Sequence, residues 1–130
     1  MPMINQTIYE NALRLLGLSS DAEGNEDYED RAPYLIASFC SEAEKTDGLL
    51  RRSLGLEPTP VFGHVWLALD ELFPLSEQLA PIACLYVAAM LVLDEDSELS
   101  DTLYDRFCDA MLTLRGSIAA SVEAIRDIYS

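Results

Sequence analysis

The residues of this 130-residue chain whose types and spacing could do chemistry fall into three groups, all dominated by acids and thiols. The first is Asp94-x-Asp96-x-Glu98, which sets carboxylates at alternate positions like the opening of a calcium-binding EF-hand loop. Counting twelve from Asp94 reaches Asp105, where such a loop carries its last ligand. The sixth position, however, is Leu99 where glycine would permit the sharp turn, and the twelfth is Asp instead of the bidentate Glu. The segment also falls across the start of a predicted helix. It reads as a solvated turn whose carboxylates favour the next helix's N-terminus.

The second group is His64, the sole histidine, with Cys40, Cys84 and Cys108. A Cys–His nucleophilic pair is formally possible, but no glycine-rich oxyanion turn or third orienting residue accompanies one. His64 reads as a partly exposed loop residue near Trp66. The cysteines are odd in number, far apart and set among apolar neighbours, with no C-x-x-C, so they are expected to be small buried hydrophobes in a reducing compartment. The third group, Asp101, Asp105 and Asp109, lies at i, i+4 and i+8 and so on one helical face. A metal site there would want further ligands such as His, and none is within reach. Like charges at this spacing repel, so the face is expected to be wet or opposed by basic groups, with Arg106 and Arg115 screening it in part. No P-loop, G-x-G-x-x-G, H-E-x-x-H or G-x-S-x-G occurs. The expectation is a non-enzymatic protein that needs no metal or other cofactor.

The charge balance narrows the partners. Twenty-three acidic residues against eight basic ones give a net charge of −15. Such a chain is repelled by the DNA backbone, whose binding requires Lys and Arg to displace counterions, and by anionic membranes. Neither specific nucleic-acid binding nor membrane association is expected. The acidity serves solubility, or a surface that must not stick to nearby nucleic acid, or one that pairs with a basic partner. The N-terminal MPMINQTIYENALRLLGL lacks the basic start and small-residue cleavage site of a signal peptide. The longest apolar run, Ile82 to Leu93, reaches about 18 Å as a helix, well short of the roughly 30 Å of a hydrocarbon core.

The elements follow from the spacing of apolar residues. A first helix, capped by Asn5, carries Ile8, Ala12, Leu15 and Leu16 and ends at Gly17. An acidic loop leads into a second helix over about 30–54, with Pro33 in its first turn and a stripe of Ala32, Leu35, Ile36, Phe39, Cys40 and Ala43. Arg51 and Arg52, the only adjacent basic pair, sit in its last turn, where they complement the dipole or contact an acidic surface. From 55 to 75 the pattern stops: Pro58 and Pro60 enforce an extended path, and His64 to Leu69 fits a short strand or one helical turn. Ser76 can cap a third helix, regular by Ile82, that is apolar on every side and must be buried on every side. A fourth, over 98–115 with Ser97 or Ser100 as cap, carries Leu99, Leu103, Phe107, Met111 and Leu114. Gly116-Ser117 is expected to break it, leaving Ile118, Val122, Ile125 and Ile128 to a short terminal helix. The fold class expected is all-α, a single domain with four to five helices around a central apolar one.

The layout resembles that of the small helical head–tail connector (adaptor) proteins of tailed bacteriophages and prophages. The residues that carry the resemblance are Asp30-Arg31-Ala32-Pro33-Tyr34-Leu35-Ile36, Phe73-Pro74-Leu75-Ser76 leading into Leu79-Ala80-Pro81, Tyr86-Val87-Ala88-Ala89-Met90-Leu91 and Leu103-Tyr104-Asp105-Arg106-Phe107. It divides the chain into an N-terminal helix and acidic loop (1–26), a connector-like core (27–115) and a C-terminal helix (116–130). This chain is more acidic than the resemblance leads one to expect, and its third helix is unusually apolar. The resemblance implies a homo-oligomeric ring between portal and tail, with portal and tail-completion proteins as partners. It also implies assembly in the bacterial host cytoplasm and a final place in the virion neck. In that setting Val61, Phe62, Trp66, Arg51 and Arg52 are the candidate interface, with Trp66 folded into its own core as the alternative. Asp101, Asp105 and Asp109 are the candidate acidic face towards passing DNA. The competing reading is a small acidic protein-binding module that offers carboxylates to the basic site of a nucleic-acid-binding protein.

Overall fold

The computed structural model describes residues 3–19, 23–57 and 63–129, with side chains to residue 120. The fold is all-α: α1 (Asn5–Leu15), α2 (Glu26–Ser53), α3 (Ala80–Val92) and α4 (Ser97–Tyr129), with a single 3₁₀ turn at Glu77–Leu79 before α3. Among the described residues there is no strand. The stretch expected to hold a strand or helical turn at 64–69 is neither, and the isolated bridge nearby, between Ile4 and Leu72, lies outside it.

The core is built around α3, which packs against α1, α2 and α4. Ten of its thirteen residues are buried, and the exposed Pro81 and half-buried Leu85, one turn apart, leave only a short apolar edge open at its start. Ala80, Ala83, Ala88 and Ala89 keep its surface narrow enough for three neighbours to approach. Phe39 of α2 is fully buried and gathers an aromatic cluster: its ring centroid lies 5.8 Å from that of Tyr86, 6.1 Å from Phe107 and 6.3 Å from Phe73. Tyr86 and Phe107 meet edge to face at 5.2 Å, and the Tyr86 hydroxyl pairs with Ser38 Oγ at 2.9 Å. A buried tyrosine usually has such a partner, because an unpaired hydroxyl in the core costs about 1–3 kcal/mol of what the ring's burial returns.

Several expected boundaries shift, each for a local reason. α2 starts at Glu26, so Pro33 lies inside it, not in the first turn. Glu26, Asp27 and Glu29 favour the positive N-terminal end, and burial of Tyr28, Ala32 and Pro33 offsets the hydrogen bond that proline cannot donate. Asn5 does not cap α1: Ile4 occupies that position, and the Asn5 side chain is buried, its Nδ2 donating 3.0 Å to the Ala68 carbonyl. In α1 the buried face is Ile8, Tyr9, Ala12 and Leu13, while Leu15 turns outward. Ser76 precedes the 3₁₀ turn without a side-chain cap. At α4 the cap is Asp96, whose Oδ1 accepts the Leu99 N–H at 3.0 Å, not Ser97 or Ser100. Gly116 interrupts nothing, since α4 runs on to Tyr129 as one helix. The side chains of Val122, Ile125 and Ile128 lie outside the described residues.

Glycine closes α1, as expected, and also α2. Gly17 at φ +75° and Gly55 at φ +70° adopt the left-handed conformation. At each, the N–H groups of the glycine and of the residue after it turn back onto carbonyls of the last turn, Gly17 to Arg14 and Leu18 to Leu13, Gly55 to Arg52 and Leu56 to Arg51. The C-terminal end of α3 is closed from outside instead. Arg31 of α2 donates from Nη2 to the Met90 carbonyl at 3.0 Å and from Nη1 to that of Leu91 at 3.3 Å.

Candidate interaction surfaces

Residues 63–76 form a strap along the side of the bundle, reaching α2 at Pro33 and again at Asp47 and tied to the start of α1 by backbone bonds. The first-turn N–H groups of α1, which have no partner within the helix, donate to the strap: Asn5 to the Glu71 carbonyl at 2.9 Å and Gln6 to that of Leu69 at 2.7 Å. Phe73 N–H returns to the Met3 carbonyl at 2.8 Å, and Leu67 N–H reaches the Pro33 carbonyl at 3.2 Å. Leu67, Phe73 and Leu75 are thereby turned into the core. Val65, Trp66 and Leu72 are left on the outside, Trp66 at 48% exposure.

The far end of the strap hangs on one buried carboxylate. Asp47 of α2 is fully buried; its Oδ1 accepts the Ser76 N–H at 2.8 Å, and its Oδ2 lies 2.9 Å from Arg51 Nε. Arg51 in turn donates from Nη2 to the Pro74 carbonyl at 3.2 Å. Of the two basic residues expected as contacts, Arg51 is therefore occupied in holding the strap, and only Arg52 is exposed. Val61 and Phe62 lie outside the described residues.

Above the anchored strap, Leu54, Leu56 and Leu72 are each more than half exposed and line one depression over buried Phe73 and Leu75. These aliphatic side chains come from the end of α2 and from the strap. Their grouping could not be read from spacing, because the polypeptide between them is irregular.

Asp101, Asp105 and Asp109 project outward from α4, opposite buried Leu103, Phe107 and Met111. Successive carboxylates are about 6 Å apart along the axis. Among the described residues none of the three forms an ion pair. The acidic turn before α4 is tied down differently: the Tyr28 hydroxyl donates to Glu95 Oε2, and Asp96 is the helix cap. Burial, and secondly that bond to Glu95, push the Tyr28 phenol up to about 12.

For chemistry the arrangement provides little. His64 is exposed, whereas Cys40 and Cys84 are buried. Burial pushes their thiols up to about 12 and about 11, away from the thiolate that a nucleophile requires. Among the described residues no three His, Cys, Asp or Glu side chains gather as metal ligands, and no helix is long and apolar enough to cross a membrane. No protein-family model, no curated protein and no solved structure matches this chain.

Proposed function

We propose that this chain is a structural subunit of a phage or prophage neck, one of several identical copies that form a ring between portal and tail through which DNA passes. The observation that carries the proposal is the aliphatic group of Leu54 and Leu56, at the end of α2, and Leu72, on the strap that α1 and α2 pin in place, all three exposed around one depression. A fixed, outward apolar surface of this kind is what a protein–protein contact requires. The wet face of Asp101, Asp105 and Asp109 suits a bore that DNA must slide through, since carboxylates repel phosphates and retain no counterion-releasing contacts. Light scattering on the purified chain, with electron microscopy of the chain alone and mixed with its portal ring, tests the reading. Closed rings, free or seated on the portal, are expected. A chain that stays monomeric at high concentration and is not recruited by the portal overturns it.

The same three unpaired carboxylates favour a second reading, an acidic module that occupies the basic site of a nucleic-acid-binding protein. That reading requires a stoichiometric complex with such a partner that Asp101→Asn, Asp105→Asn and Asp109→Asn together abolish.

A further inference from the structure

Two grooves of opposite character lie on different sides of α1. The first, about 470 Å³, opens where α1, α3 and α4 meet. Leu15, Pro81 and Leu85 give it an apolar wall, Arg14 and Arg106 both border it, and no carboxylate does. In a chain with 23 acidic residues to eight basic ones, that runs against composition. Arg14 donates to the neutral side chain of Asn11 at 3.0 Å, a bond that leaves its charge uncompensated. The second groove, about 510 Å³, lies between the start of α1, the first half of α2 and the strap. It joins half-exposed Trp66 and Ile4 to Glu29, Asp30 and Asp70, with no basic residue along it. Gln6 borders this second groove; Asn11 and Leu15, on the first, sit about 140° and 180° around α1 from it. One molecule can therefore present both surfaces at once.

We propose that the acidic Trp66 surface of one copy docks into the Arg14–Arg106 groove of a second copy. The inference rests on the ring reading and deepens it by naming two faces for a contact between neighbouring copies, separate from the surface of Leu54, Leu56 and Leu72. Each face combines apolar side chains with charged ones, and the charges are opposite. Trp66 supplies a large, half-exposed anchor of the kind that dominates interface energetics, and the arginines set orientation and steer the encounter. Because the two faces differ, the contact is head-to-tail. Such a contact repeats from copy to copy until rotation closes a ring.

The test uses the full chain in sedimentation velocity at low salt, followed across a concentration series. Arg14→Glu with Arg106→Glu is expected to weaken self-association at least ~10-fold, as is Asp30→Arg with Asp70→Arg, because each places like charges across the contact. Trp66→Ala should weaken it about 30-fold without a charge change. Mixing the two double variants should restore assembly in alternating order, since each then meets a partner of opposite sign; the chain carrying all four changes should also self-associate. Those recoveries separate loss of the contact from loss of the fold. Assemblies that tolerate both reversals overturn this inference and leave the ring reading standing. A wild-type chain that is monomeric throughout the series also overturns it, while recruitment to a portal ring would still uphold the neck reading.

Discussion

Replacing Asp47 by alanine isolates the physics of the strap. The carboxylate is fully buried, and its loss strands the Ser76 N–H, which it accepts at 2.8 Å, and removes the counter-charge 2.9 Å from Arg51 Nε. A charge-assisted bond to a backbone amide contributes about 1.5–3 kcal/mol. A fully buried ion pair broken on one side would cost about 3–5 kcal/mol more. The Arg51 side chain, however, retains 23% exposure and recovers part of its hydration, which reduces that second contribution to roughly 1 kcal/mol. The sum is about 3 kcal/mol, and with an unfolding entropy near 2.1 cal/mol/K per residue it lowers Tm by about 11 °C. Thermal and urea melts measure the total, and a double-mutant cycle with Arg51→Ala measures the pairing. Hydrogen exchange provides the local readout: Ser76 should lose protection well beyond the global change, while Val87 in the middle of α3 follows the global change only. A Tm drop under ~4 °C, or a coupling to Arg51 below ~0.5 kcal/mol, would refute the claim that this carboxylate anchors the strap.

Three further outcomes are expected. Gly116→Ala should stabilise the chain by about 0.5–1 kcal/mol, because a methyl there meets nothing within 4 Å inside a continuous helix; Gly55→Ala, at φ +70°, should destabilise it by about 1 kcal/mol, and melts of the two variants check the opposite signs. Phe39→Ala should cost about 3–5 kcal/mol in urea unfolding and weaken the near-ultraviolet signal of Tyr86, whose ring it contacts. Cys40, Cys84 and Tyr28 all have folded pKa values above their ordinary ones, at about 12, about 11 and about 12. Their contribution to stability is therefore complete below the ordinary values of 9.0 and 10.0 and is lost as pH rises from there towards 12. Urea midpoints measured from pH 7 to 11 should hold level at first and fall above about pH 9.

The all-α class and the central helix were legible because burial on every side removes polar residues altogether, and Leu79 to Leu93 contains no charge. The stripes of α2 and α4 were legible for the same reason in weaker form. Gly116 misled because a lone glycine costs a helix only about 1 kcal/mol, less than the backbone bonds gained by continuing through good helix formers. Pro33 misled because its usual place is a first turn, whereas here the acids before it carry the helix start seven residues earlier. Asp47 gave no local sign of burial. It reads as one more acid in an acidic chain, and its partner Ser76 lies 29 residues away. The adjacent pair Arg51-Arg52 hid a division of labour that helical geometry imposes: neighbours point about 100° apart, so only one of them can face the strap.

A helix with a wet face has its rotational phase set by water, since any turn about its axis would expose apolar surface. α3 has no polar face at all, and the little of it that is open, at Pro81 and Leu85, is apolar too, so burial alone would be almost as favourable at several phases. Its phase is indexed instead by a few polar pins. Ser38 takes the Tyr86 hydroxyl, Ser100 donates from Oγ to the Ala89 carbonyl at 2.8 Å, and Arg31 clasps the carbonyls of Met90 and Leu91. Exchanging one aliphatic side chain of α3 for another of similar volume changes burial slightly and phase not at all. A change at Ser38, Ser100 or Arg31, none of them in α3, alters the angle at which that helix presents itself to all three neighbours.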